Sequence, residues 1–137
     1  MLTLAGQQAD IVSITPIAKR DGSGLDTADS SAEAMDRKIG WLREAAGDRI
    51  DAITTNILLQ HLTVSDSATA TAEALEKLST DWEMPAETLA ESPLILVGTE
   101  DEIVEKLLAR RERWGISYIS VFGSYMEAFA PIAARLR

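Results

Sequence analysis

Apolar positions along the chain change period several times, and each change marks an element. Met1–Gln8 is short, apolar and Ala/Gly-containing, and reads as the later part of a helix. Ala9–Ile14 is compact and β-branched, a strand. Thr15–Ser30 carries Pro16, Gly22, Gly24 and several Asp, so it reads as a long loop, and loops of that length tend to be functional or mobile. Ser30 and Glu33 form an S-x-x-E capping box, behind which Met35, Ile39, Leu42 and Ala46 share a helical face that Gly47 ends as a left-handed cap. Ala52–Val64 reads as one unusually long strand, with Ile53, Ile57 and Leu59 on one face and Thr54, Asn56, Leu58 and Gln60 on the other. Ser65 or Asp66 then caps a helix through Ala68, Ala72, Leu75 and Leu78.

The second half continues the alternation. Pro85–Ser92 is a short helix and Pro93–Gly98 a brief extended segment, with a weak fourth strand at Leu94–Val97. Thr99 and Glu102 form a second capping box, opening a helix through Trp114 that Gly115 stops. Tyr118–Phe122 is a strand, and Tyr125–Leu136 a closing helix that Pro131 either kinks or restarts. Strands alternating with helices predict an α/β chain of parallel β/α units, and the first element is a helix with no strand before it.

Composition narrows the chemistry. The 137 residues include no Cys and one His, which removes disulfides, thiolate metal sites, cysteine nucleophiles and every multi-histidine metal site. A formal charge of −9 argues against a nucleic-acid partner. No apolar run approaches the ~18 residues of a membrane span, and Met1–Asp10 lacks a signal-peptide pattern, so the expectation is a cytoplasmic protein with no membrane partner. Lys106, Arg110, Arg111 and Arg113 alternate with Glu102, Glu105 and Glu112 and read as a solvated helix face. The acidic residues of Thr99–Glu105 read as first-turn carboxylates, Gly22–Gly24 as loop, and Trp41, Trp82 and Trp114 as helix packing residues, with Trp82 also a candidate interface residue.

Four stretches carry a family resemblance. They are MLTLAGQQADIV (Met1–Val12), DRKIGWLREAAGDR (Asp36–Arg49), SPLILVGTEDEIVEKLLARRERWGISYISV (Ser92–Val121) and MEAFAPIAARL (Met126–Leu136). Together they resemble the luciferase-like flavin- and deazaflavin-dependent monooxygenases and reductases, and within them the branch dependent on coenzyme F420. The third stretch is the most specific. The resemblance implies an oxidoreductase of TIM (β/α)8 barrel fold, a barrel that takes about 250 residues. It implies that residues 1–137 are a single partial-barrel domain, with Ala9–Ile14, Ala52–Val64 and Tyr118–Phe122 as strands six to eight. Strands one to five and the glycine-rich turn ahead of Met1 are then missing, either through truncation or because the gene encodes only this piece.

The implied reaction is hydride transfer between a reduced cofactor, coenzyme F420 or alternatively FMN, and an organic substrate. Met1 and Leu2 are the candidate remnant of a cofactor phosphate site, competing with a frayed helix start. Barrel active sites lie at the C-terminal ends of the strands, which makes Thr15, Gln60 and Ser124 candidate rim residues of the substrate pocket. Asn56 and Gln60 would point inward, whereas His61 falls on the outer parity and reads as a surface or interface histidine. No catalytic residue and no metal site is assigned. The alternatives are a non-catalytic dimerisation or interaction module and one half of a split enzyme. The expected partner is a second copy or a complementing N-terminal half-barrel chain, because Leu58, Leu62 and one face of Tyr118–Phe122 would otherwise meet water.

Overall fold

A computed structural model describes residues 1–137. In chain order it contains α1 (Leu2–Gln8), β1 (Ile11–Ser13), α2 (Ala32–Ala46), β2 (Thr54–Leu58), β3 (His61–Val64), α3 (Ala68–Trp82), α4 (Ala86–Glu91), β4 (Ile95–Gly98), α5 (Glu100–Trp114), β5 (Ile116–Ser120) and α6 (Met126–Arg135). β1, β2 and β5 form an open parallel sheet in that order, and β3 and β4 form a second, two-stranded parallel sheet. The α/β alternation and the parallel pairing are thus as the periodicity predicts. No helix is long and apolar enough to cross a membrane.

The long strand expected over Ala52–Val64 is broken. Leu59 N–H still donates to the Ser120 carbonyl of β5 (2.9 Å), while the next amide, Gln60 N–H, donates to the Leu94 carbonyl just ahead of β4 (2.9 Å). One residue separates membership of the two sheets. Burial changes phase with it: Ile57 and Leu59 are buried, then Leu62 rather than the residue before or after it. Leu62 therefore does not meet water. It is 6% exposed and belongs to the main core, while Leu58 stays half-buried on the opposite side.

That core lies on one side of the three-stranded sheet. Val12 and Ile14, Ile57 and Leu59, and Ile116 pack against Met35, Ile39 and Leu42 of α2, Ile103 and Leu107 of α5, and Phe129 and Ile132 of α6. Pro131 sits within α6 and does not end it. β4 is buried on both sides, Leu94 and Leu96 feeding the main core while Ile95 and Val97 meet Leu78, Met84 and Leu89 in a second cluster. A strand covered on both faces needs apolar residues at every position, which is why its segment reads as an unbroken apolar run. Gly6 lets α1 lie close on α2, since a Cβ there would meet Ala45 Cβ at 2.9 Å.

Several boundaries shift. The cap of α2 is Ser31, whose Oγ accepts from Ala34 N–H (3.2 Å); Ser30 is buried at the end of a 3-10 turn, where its carbonyl accepts from Ser92 Oγ (2.6 Å). α3 is capped by Ser67 rather than by Ser65 or Asp66. Gly47 has φ 53° but ψ −128°, outside the left-handed helical region, because the chain runs on into a 3-10 turn over Gly47–Ala52. β5 starts two residues early, directly after the left-handed cap Gly115. The Thr99–Glu102 capping box forms as the sequence predicts.

The loop 15–30 is fastened at its base. The buried Lys38 ammonium ion-pairs with Asp29 and donates to the carbonyls of Thr15 (3.0 Å) and Asp29 (3.2 Å), and Ile17 N–H donates to Asp29 Oδ2 (2.8 Å). Beyond this clamp the run Ile17–Leu25 is exposed throughout.

Two cations expected on a solvated face turn inward instead. In β4 the Leu94 and Gly98 carbonyls accept from the β3 side, so those of Ile95 and Val97 face the free edge of the sheet. Arg110, 6% exposed, donates to the carbonyls of Ile95 (2.9 Å), Ser92 (2.7 Å) and Pro93 (3.1 Å), and Lys106 donates to Val97 O (2.9 Å). Burial pushes the Arg110 pKa down to about 10, which leaves it charged at neutral pH. Side chains of α5 thus cover an edge that would otherwise expose unpaired carbonyls.

Candidate functional site

The side of the three-stranded sheet away from the helices is open. Ile11 is 57% and Tyr118 49% exposed, Thr54 and Leu58 are half-buried, and no charged residue of β1, β2 or β5 lies among them. At its centre stands Asn56. Its Oδ1 accepts from Ser13 Oγ of β1 (2.7 Å), and its Nδ2 donates to Tyr118 O (3.0 Å) and Ser120 Oγ (3.0 Å) of β5 and to Ile57 O (3.3 Å). The amide ties three strands together. With its capacity already engaged, Asn56 is a positioning element of this face.

Because the three strands are parallel, Thr15, Gln60 and Ser124 follow the same ends of β1, β2 and β5. No hydrogen bond joins any two of them. The Thr15 carbonyl is taken by Lys38, Gln60 Nε2 donates to the Leu58 carbonyl (3.2 Å), and Ser124 lies exposed in the 3-10 turn Gly123–Tyr125.

What these ends do bring together is aromatic, and sequence reasoning passed over it. His61 and Tyr125 meet edge-on at 6.2 Å between ring centres, and Tyr125 meets Phe122 at 6.4 Å. Phe122 is 44% exposed. The available signal was the F-x-x-Y spacing directly after the last strand. His61 Nε2 lies 2.8 Å from Thr63 Oγ1, and the imidazole shares a 310 Å3 cleft with Lys77 and Asp81 of α3. Burial holds its pKa below the usual 6.5, against the pull of Asp81, so the ring is neutral at pH 7.

Met1 and Leu2 differ in placement. Met1 is fully exposed and makes no side-chain cap, and Leu2 packs on the main core. Arg49 binds the other end of this short helix, through Gly6 O (2.8 Å) and Ala9 O (3.3 Å). No side chain caps the first amides of α1. No group of three His, Asp or Glu side chains is placed to hold a metal ion. Glu102 is occupied in the α5 capping box, Gly22 and Gly24 lie at the exposed loop tip, and Trp114 is buried with Nε1 donating to Asp36 (2.7 Å). Trp41 is exposed, and Trp82 lies half-buried against the second cluster.

No protein-family model matches this chain, and no curated protein matches it either.

Proposed function

We propose that this chain is part of a luciferase-like oxidoreductase dependent on F420 or FMN, supplying strands six to eight of a (β/α)8 barrel. The supporting observation is the order β1-β2-β5, all parallel, with helices on one side and an uncharged open face on the other. In this reading the open face lines a barrel lumen, and Thr15, Gln60 and Ser124 sit at its rim. The cofactor carries the hydride, passing it to an organic substrate in a cytoplasmic enzyme. Tyr118 and Leu58 offer a wall for a flat ring. The start of α1 offers its free amides to the phosphate, and the remaining contacts come from a complementing half-barrel chain. The second reading is a homodimeric interaction module, favoured by the exposure of Ile11, Tyr118 and Phe122 on or beside the open face.

Titrating the purified chain with F420 and with FMN, followed by fluorescence, tests the first reading. The expected result is saturable binding weaker than a Kd of ~1 μM, roughly −8 kcal/mol, that Tyr118→Ser weakens further. Failure of both cofactors to bind at ~1 mM, roughly −4 kcal/mol, overturns it and leaves the interaction module.

A further inference from the structure

A groove of 620 Å3 opens at the N-terminal end of the strands, opposite to the candidate rim. Pockets of about 300–1,000 Å3 accommodate small organic molecules. Here the wall comes from the last turns of α2 and α5, the 3-10 turn over Gly47–Ala52 and the start of β2. Its apolar part includes Trp114 and Ile53; its polar groups are Thr55, Arg43, Arg111 and Asp51.

Thr55 points to a ligand. It is 4% exposed, yet its hydroxyl takes part in no hydrogen bond of the protein. No fully enclosed side-chain oxygen or nitrogen in the chain lacks a partner, so this hydroxyl is reached through the groove it lines. A hydroxyl reached through the groove it lines can both donate to and accept from an occupant. The charges add a second feature. Arg111 makes no ion pair or hydrogen bond, and Arg43 spends one donor on Arg113 O (3.0 Å). Both lie in the final turn or so of their helices, where a cation offsets the negative end of the dipole. That role needs no groove and does not account for Thr55. The helix carbonyls beneath them are moreover already capped, by Gly47 N–H on Arg43 O and Gly115 N–H on Arg111 O. Against two guanidinium groups stands one carboxylate, Asp51.

We infer that this groove binds a small organic anion with a flat apolar body. The body lies against Trp114 and Ile53, the anionic group meets Arg111 and Arg43, and a polar substituent bonds to the Thr55 hydroxyl. The site is independent of the oxidoreductase reading, since it lies at the other end of the strands.

The probe is 8-anilinonaphthalene-1-sulfonate, with the uncharged N-phenyl-1-naphthylamine as its comparison. Saturable 1:1 binding of the sulfonate is expected, detected as emission sensitised by tryptophan excitation. Arg111→Gln should weaken it about tenfold, equivalent to ~1.4 kcal/mol. Thr55→Val keeps the side-chain shape, and should weaken it severalfold without lowering the thermal midpoint. Tyr118→Ser, on the open sheet face, should leave it unchanged. Equal affinity for the uncharged probe, indifference to both groove variants, or loss of binding in Tyr118→Ser would each overturn the inference.

Discussion

The two sheets are built from strands of the same direction and similar length, yet they bury themselves in opposite ways. β1, β2 and β5 cover one side with α2, α5 and α6 and leave the other to solvent, with Ile11 and Tyr118 exposed and a Ser13–Asn56–Ser120 bridge across the middle. β4 leaves nothing open: every residue from Ser92 to Gly98 is buried, and even its free edge is closed by Arg110 and Lys106. The difference separates where the chain's stability resides from where its binding surface lies. A side chain tightly packed on both sides has no freedom to meet a partner. An uncharged face with exposed rings loses little by being altered and gains by being covered.

The sharpest way to break this contrast is a matched pair of truncations. Leu96 is fully buried in the main core, whereas Ile11 projects from the open side of β1. Leu96→Ala should cost about 2–5 kcal/mol through lost burial and the cavity left behind. Ile11→Ala should stay within about 0.5 kcal/mol in the monomeric state. Urea unfolding of each variant, read by far-ultraviolet circular dichroism, decides it. Similar losses in both would mean that the open face is covered in solution.

The closed edge of β4 gives the next largest effect. Replacing Arg110 with Met keeps the length of the buried stem and removes the donors to three carbonyls. Buried acceptors left without partners cost about 1–3 kcal/mol each at most, partly offset by no longer burying a charge. A net loss of about 2–3 kcal/mol is expected, and Arg110→Lys should recover only part of it because one ammonium cannot span the three oxygens. A variant as stable as the parent would show that β4 does not depend on this edge cover.

The same contrast explains what was legible in the sequence. The helices were, because their signals are local: Thr99 with Glu102, then Ile103 and Leu107 on one face, then Gly115, are all readable within one element. The break at Leu59–Gln60 was not, because no Gly or Pro marks it. It is a change of hydrogen-bonding partner, and the only trace in the sequence is the slip from odd to even apolar positions between Leu59 and Leu62. Arg110 looked solvent-facing among its charged neighbours, since nothing in α5 itself tells that β4 presents free carbonyls beside it. Lys38 was missed for the same reason: the loop it clamps lies some twenty residues earlier, at Thr15 and Ile17. Of the candidate site, the strand-end positions follow from β/α order alone. The His61–Tyr125–Phe122 cluster depends on how β3 leaves the first sheet, and so on the break that the pattern concealed.

The open face should also govern self-association. If two copies cover it, size exclusion with light scattering at ~10 μM should give about twice the chain mass, the commonest closed assembly being a two-fold dimer. Tyr118→Lys should shift the protein toward the monomer while preserving its helical content, because a charge at the centre of an apolar contact is costly to bury. A wild-type protein that elutes as a cooperatively folding monomer would remove the dimer and leave the face exposed.

The smallest effect concerns the junction between the two sheets. His61 opens β3, meets Tyr125 edge-on beyond the end of β5, lies beside Thr63, and faces Lys77 and Asp81 of α3 across the cleft. Burial depresses its folded pKa below 6.5, with Asp81 pulling the other way. The unfolded chain therefore takes up this proton first as pH falls. Protons bound are then greater in the unfolded state, so stability increases with pH across this interval. The His61 contribution is fully present above pH ~6.5, declines below it, and is lost once pH passes the folded pKa. Partial solvent access keeps the slope well under the one-proton limit of about 1.4 kcal/mol per pH unit. The carboxylates with a depressed pKa, such as Asp36 beside Arg113, are held below their ordinary values and stay ionised across this window, and the buried Arg110 stays charged. Urea midpoints measured between pH 5 and 7 should thus drift downward with acid in the parent protein and be nearly flat in His61→Gln. A parallel drift in both would place the acid sensitivity elsewhere, and the junction would then hold the two sheets together by packing without a titrating contribution from His61.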